Sequence, residues 1–417
     1  MTNLNLINII GRLGLTINKY PKIMGLIRLM FLFVKNNIRR KKYIREFKIC
    51  LRYWKSAEMN FHKKNHIEAF NFYTKAIDNL PGIGEWYKGR GNCRRQLGRY
   101  DNDTINEFLL GIEKAHYRKS ECISEYLNYL WETEGLTSDT LKKYEKIILN
   151  ENKKKSSSNF LAQYAAMFSD SGDHEKAIKY YLKAKRMKRS SVEKYPSLIT
   201  TVFSKNPEEV ESKNQNLQFY KYLKASEGTL EKLLKQYDNS IAVVGNSPKE
   251  LNKGQGKVID NHPLVVRFND YSINPPYDAD YGSKTDIWVR SIGDWVPQRD
   301  ISQYKSIMVS GLNLAHRYGE WRTIKSYAMQ SKPIELFPKK LQYELIDKLH
   351  AVPTAGISFC YTLYKTVGPL NPDSMFGFSF TDHIGENATP SHYYNNRPPS
   401  DRHNWHAERA LFHQLLK

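Results

Sequence analysis

Two histidines stand close together near the end of the chain. One is in His392-Tyr393-Tyr394, the other in His403-Asn404-Trp405-His406-Ala407-Glu408. An imidazole titrates near neutral pH and can take or give a proton there. A histidine in a Pro/Asn-rich loop is more often simply exposed, and His406 is a rival to His403. Glu408 lies five residues past His403, so on one continuous helix the two would diverge by roughly 140°. His403 is therefore expected to precede a helix starting near Asn404, with Glu408 bonding backbone beside the site. Upstream, Gly245-Asn246-Ser247 ends a short apolar run, which suggests a ligand loop at the C-terminal edge of a sheet. A lone Asn in such a place is usually a turn residue. There is no GxGxxG and no GxxxxGK[ST]. Asp278-Ala279-Asp280 has the spacing of a pair of hard carboxylates that could hold Mn²⁺.

These residues need a scaffold, and the pattern from Ser240 onward is that of an α/β domain. Ser240–Gly245, Pro263–Phe268, Asp286–Val289, Ser306–Ser310 and Ser374–Phe378 are short apolar runs, the mark of buried strands. Helical periodicity fills Leu341–His350 and Gly356–Val367 between them. Alternating buried strands and helices predict a mostly parallel, Rossmann-like sheet.

Four stretches in this region closely resemble the sialylmotifs of the eukaryotic-type sialyltransferase family. Ala242-Val243-Val244-Gly245-Asn246-Ser247, Gly254–Gly256, Ile259-Asp260, Val265–Asn269 and Asp278–Thr285 resemble the large motif. Pro353–Ile357 followed by Phe376-Gly377-Phe378 is similar to the small motif, His392-Tyr393-Tyr394 to the third, and His403-x4-Glu408 to the very short one. All four occur in family order, and the resemblance does not reach the N-terminal half. It implies a GT-A-like variant fold and an inverting, metal-independent transfer from a CMP-sugar, with no cofactor. Asn246 and Asn269 would hold the donor's phosphate and ribose, beside Gly245 and Ser247. Thr354, Gly356, Gly377 and Ser379 would line the cytidine and phosphate pocket. His403 would be the general base, and His392 would stabilise the departing phosphate. Glu408 and Tyr393 would support the site. Asp278 and Asp280 fall inside the large motif, where the family has an acidic-Ala-Asp run without metal. The motif positions that hold bridged cysteines in the eukaryotic enzymes are here Ile241 and Val367, so that staple is not expected. Thr354-Ala355 stands where Ser-Thr is usual, which leaves the sugar half of the site less determined than the CMP half. The motifs read CMP, and so leave sialic acid and Kdo, both 2-keto sugar acids, undivided. Arg267, Lys284, Arg290, Arg397 and Arg402 are candidates for the sugar carboxylate.

The remainder of the chain bounds the setting. Sixty-four Lys and Arg against 43 Asp and Glu give a net charge of +21, a field that attracts nucleotides, acidic sugars, anionic membrane or nucleic acid. No nucleic-acid motif accompanies the charge, so that partner is not expected. Four cysteines without a CxxC pair argue against a zinc or disulfide framework. Residues 1–49 read as a basic amphipathic segment. Ile23–Val34 is apolar but shorter than the roughly 20 residues of a spanning helix. Lys35, Arg39, Arg40, Lys41, Lys42 and Arg45 follow it, which suits an anionic membrane surface. Residues 50–190 resemble tetratricopeptide repeats: Ala57, Ala69, Tyr73, Ala76 and Pro81 take the family's positions, with Gly91 and Leu97–Tyr100 in a second unit. Ala165, Phe168, Gly172, Ala177, Tyr181 and Ala184 follow in a third. Residues 191–238 read as a helical connector and 239–417 as the transferase domain. The expectation is a bacterial enzyme, cytoplasmic and peripheral at the inner face of the plasma membrane. It would transfer sialic acid or Kdo to a glycan or lipid-linked oligosaccharide of the capsule or cell surface, with a protein partner on the repeats. The alternative is a repeat scaffold carrying an inactive transferase domain.

Overall fold

A computed structural model describes residues 40–115, 119–152, 158–293, 295–311, 321–330, 332–380, 390–395 and 398–416. The apolar run Ile23–Val34 and Arg397 lie outside them. The chain forms two compact units. One runs to Tyr129 and takes in Lys143–Lys154; the other holds Leu130–Lys142 and Lys155–Lys417.

The first unit is helical. Arg40–His62 pairs with His66–Asn79, and Gly84–Gln96 with Asn102–Glu113. Ala57, Ala69 and Ala76 are fully buried together with Tyr73 and Trp86. The small residues let the helices approach, and the rings fill the space between hairpins. Gly89 shows how closely: a Cβ there would stand 2.3 Å from the Tyr73 ring. Asp101 starts the fourth helix by accepting from Thr104 N at 2.9 Å.

Beyond Leu130–Lys142, the second unit contains another helical hairpin, Ser158–Asp170 and His174–Met187, with Ala165, Phe168, Ala177, Tyr181 and Ala184 buried. Gly172 makes its turn at φ +85°. The segment read as a connector contains the helices Arg189–Val192, Pro196–Lys205, Gln215–Ser226 and Thr229–Tyr237. The last two are part of the core of this unit. Glu335 caps Thr229–Tyr237, accepting from Gly228 N at 3.0 Å, from Thr229 Oγ1 at 2.6 Å and from Leu230 N.

Six parallel strands follow: β1 Ile241–Val244, β2 Leu264–Phe268, β3 Ile287–Ser291, β4 Ser306–Ser310, β5 Ile334–Leu336 and β6 Met375–Phe376. Their order is β5-β4-β3-β2-β1-β6. β1 to β5 step outward in one direction, and β6 returns to the free side of β1. Both faces are covered, as a parallel sheet requires. On one face Val243, Val266, Val289 and Met308 pack with Leu234, Leu345, Ile357, Phe359 and Phe412. On the other, Ala242, Val244 and Val265 meet Ile259, Tyr281 and Tyr393, and Trp288, Ile307 and Val309 meet Phe219, Leu223 and Tyr327. The strand expected over Ser374–Phe378 is shorter, because Gly377 turns out of the sheet at φ +66°. Strand β5 was not anticipated: its three residues are framed by Pro333 and Pro338 and carry no apolar run.

Candidate active site

The reversal of strand order falls between β1 and β6. In open α/β sheets, ligands bind outside the carboxyl ends of the strands at that point. Here the two ends are Gly245 and Gly377, and their backbones cross. A Cβ on either glycine would lie 2.4 Å from the other's carbonyl oxygen. Gly245 N donates to Phe376 O at 2.8 Å and Ser247 N to Gly377 O at 3.1 Å. Residues 132 positions apart in sequence are thus locked into one loop pair, and any side chain there would separate them.

The Gly245–Ser247 loop is held from each side. Tyr281 Oη donates to Ser247 O at 2.7 Å, and Tyr393 N donates to Asn246 O at 2.8 Å. The Tyr281 and Tyr393 rings stack at 3.7 Å. Buried Glu250 accepts from Gly377 N at 3.2 Å. Asn246 Nδ2 donates to Phe268 O at 3.1 Å, which fixes its amide and turns Oδ1 the other way. Asn246 Oδ1 and Ser247 Oγ are buried without a partner among the described residues. A buried acceptor left unpaired costs about 1–3 kcal/mol, so such atoms call for a ligand or water. Asn269 follows β2 at φ +50°, with Oδ1 accepting from Ser291 N at 2.8 Å. Its carbonyl is therefore committed to β3, and its amide nitrogen is the group that can face a ligand.

A second cluster gathers at the start of the helix Ala355–Val367. Thr354 is its N-cap, with Oγ1 accepting from Ile357 N at 3.1 Å. Fully buried Glu408 binds Thr354 twice, at N (2.8 Å) and at Oγ1 (2.7 Å). Burial raises the Glu408 carboxyl to about 8, against the lowering effect of the two Thr354 bonds. Asn404 caps the helix Trp405–Leu415 and ties it to Leu349 O at 3.0 Å, so His403 does precede that helix. His403 Nδ1 lies 2.7 Å from Val352 O. A carbonyl only accepts, so Nδ1 carries the proton and Nε2 presents a lone pair. Desolvation lowers His403 to about 4 despite the Val352 bond, so the ring is neutral at pH 7. Phe378 connects the clusters: it stands 3.3 Å from the position of a Gly356 Cβ and packs against Phe268 and Phe412. Ser379 beside it is exposed.

His392 directly precedes Tyr393, whose N–H holds the Asn246 carbonyl of the first cluster. Its Nδ1 is 2.7 Å from Ser391 Oγ and its Nε2 is 3.7 Å from Asp270 Oδ1. Sequence reasoning passed over Asp270, whose only signal was its place directly after Asn269 at a strand end. It also passed over Glu250, and it gave no role to Tyr281, although Tyr281 lies in the Asp278–Thr285 stretch.

Of Asp278 and Asp280, the second has a visible structural use. Asp280 accepts from Asn252 N at 2.7 Å and Gly254 N at 2.8 Å, and these backbone bonds hold it below the usual carboxylate range. Among the described residues, no group of three or more His, Cys, Asp or Glu is placed to hold a metal ion. Of the carboxylate candidates, Arg267 and Arg290 are fully buried, and Arg267 donates to Lys284 O at 2.9 Å and Tyr281 O at 2.6 Å. Lys284 reaches the carbonyls of His262 and Pro263, and Arg402 is exposed. Cys50, Cys93, Cys122 and Cys360 are buried and not joined in disulfides among the described residues.

No curated protein matches the chain. Residues 182–293 match the family model Glycosyltransferase family 29 (sialyltransferase), a span that starts ahead of β1 and contains Gly245, Asn246, Ser247 and Asn269.

Proposed function

We propose that the protein is a sialyltransferase-type glycosyltransferase that moves a sugar acid, sialic acid or Kdo, from its CMP ester to a glycan hydroxyl. The observation that carries this reading is the Gly245/Gly377 crossing at the switch point, with Asn246 Oδ1 and Ser247 Oγ beside it unpaired among the described residues. The family match over 182–293 supports it. The CMP moiety would lie across the crossing, against Asn246, Ser247, the amide nitrogen of Asn269, and the Thr354–Gly356 turn.

His403 Nε2 would take the proton of the acceptor hydroxyl as that oxygen forms its bond to the anomeric carbon. The bond from that carbon to the CMP phosphate breaks, and its electron pair leaves on the phosphate. His392 would stabilise the charge that develops there. Attack opposite the leaving group inverts the configuration. We read the step as metal-independent, with these side chains in place of a cation. Glu408 touches neither reactant in this scheme; through its two bonds to Thr354 it fixes the Val352–Gly356 turn from which His403 takes its orientation.

The helical hairpins are proposed to be tetratricopeptide-like and to dock a protein partner or the acceptor, in a bacterial capsule or surface polysaccharide system. Among the described residues, no helix is long and apolar enough to cross a membrane. Arg45, Lys48 and Arg52 are exposed on one face of Arg40–His62. They extend the basic run after Ile23–Val34, which favours contact with an anionic membrane surface. Binding of CMP, UDP, GDP and NAD, each with and without EDTA, tests the reading, followed by CMP release from CMP-sialic acid and CMP-Kdo. EDTA-insensitive, CMP-selective binding with release from one donor is expected. CMP binding without release from either donor would favour the scaffold alternative, and preference for UDP or GDP would refute the class.

A further inference from the structure

We propose that Asp270 is a positioning residue for His392, fixing its imidazole as a cation directed at the departing phosphate. The proposal rests on the reading that His392 serves the leaving group, and it adds a residue that no motif contains.

Asp270 leaves the carboxyl end of β2 immediately after Asn269, and its Oδ1 stands 3.7 Å from His392 Nε2. On the other edge of the ring, Ser391 Oγ is 2.7 Å from Nδ1. Both groups are largely buried, with side-chain exposures of 18% and 14%, so water screens their attraction less than at the surface. A carboxylate at this distance favours the protonated imidazole. It also selects a ring orientation: Nε2–H faces Asp270, and Nδ1–H faces Ser391 Oγ, through whose hydroxyl the ring would meet a phosphate oxygen.

The pair is preset by its supports. Arg299 lies 3.9 Å over the Tyr271 ring and donates to the Tyr271 carbonyl, and Asn269 O accepts from Trp288 Nε1 at 2.8 Å. Across the gap, Tyr393 Oη donates to Ser272 O at 2.5 Å and accepts from Ser272 N at 3.1 Å. A bridge between His392 and Asn395 closes the other segment. The residues on both sides of the pair are therefore bonded to each other or to the sheet. The Tyr394 ring lies 5.4 Å from the His392 ring, and the Arg267 and Arg299 guanidiniums lie over the Tyr271 ring next to Asp270 in sequence.

The test uses the full chain and two readouts. In the first, the His392 imidazole proton signals are followed by NMR against pH without donor, assigned by their loss in His392→Gln. Asp270→Asn is expected to move that titration to lower pH, and Asp270→Glu to restore part of the shift. An unmoved titration overturns the proposal. In the second, Asp270→Asn is expected to lower kcat about 10- to 100-fold with KM changed less than about 3-fold, since charge on the phosphate grows toward the transition state. The same change in the His392→Gln background should cost nothing further. A moved titration with unchanged kcat also overturns the role. If the wild-type chain releases CMP from no donor, the function reading fails instead, and the NMR arm still decides the pair.

Discussion

Replacing Glu408 with Gln isolates a buried titration whose size follows from its surroundings. The carboxyl is fully buried and, among the described residues, bonds Thr354 twice, at its N–H and at its hydroxyl. Its folded-state pKa is about 8, against an ordinary value of 4.5. The sign follows from proton counting. Below pH 4.5 both folded and unfolded chains hold the proton, and the buried acid is neutral. Between 4.5 and 8 the unfolded chain releases its proton while the folded chain keeps it, so this group's stabilisation is lost as pH rises. One pH unit corresponds to about 1.4 kcal/mol, which makes the full loss on the order of 4–5 kcal/mol. Gln has the same shape and can bond Thr354, but it has no proton to lose. The stability of Glu408→Gln relative to wild type should therefore climb from pH 5 to pH 8, by roughly 1 kcal/mol or more per unit. Urea unfolding followed by fluorescence at pH 5, 6, 7 and 8 measures it, because other titrating groups cancel in the difference. A difference that is flat across this range would refute the assignment of a protonated, buried Glu408.

His403 makes a kinetic counterpart. Its ring stays neutral down to about pH 4, so kcat/KM should show no acid limb near 6.5, and His403→Ala should cut turnover roughly 10²- to 10⁴-fold with CMP binding nearly intact. A limb centred near 6.5, or full activity in the variant, would remove His403 as the base. Gly377→Ala places a methyl 2.4 Å from Gly245 O at φ +66°. It should cost about 1–3 kcal/mol in urea unfolding and abolish CMP binding by calorimetry; wild-type affinity would show that the crossing does not form the site. Asn246→Ala should weaken CMP binding about 10-fold or more, with circular dichroism unchanged. Charge reversal of Arg45, Lys48 and Arg52 should reduce flotation with anionic vesicles while leaving CMP binding intact; undiminished flotation would refute the proposed face.

What the sequence made legible divides along physical lines. β1 to β4 announce themselves because each is buried on both faces, so Ile241–Val244 or Ser306–Ser310 is apolar or small at nearly every position. β5 does not, because a three-residue edge strand with Glu335 at its centre is buried only in part. The reason for Glu335 lies elsewhere in the chain, at the N–H groups that start Thr229–Tyr237. The same blindness to distant partners hid the core role of the segment read as connector. Phe219 and Leu223, and Leu230 and Leu234, repeat at a spacing of four, but the charged residues around them dominate the local composition. The glycines were legible as points of close approach, whereas their partners were not: that Gly245 faces Gly377 follows only from β6 pairing with β1 after four other strands have been laid on the opposite side. His403 and Glu408 show the limit most clearly. Their spacing separates them on a helix, yet both act on the residues just before Ala355. His403 does so through the Val352 carbonyl and Glu408 through Thr354. A backbone carbonyl has no sequence signature, so the tautomer of His403, on which its use as a base depends, is a property of the turn and not of the motif.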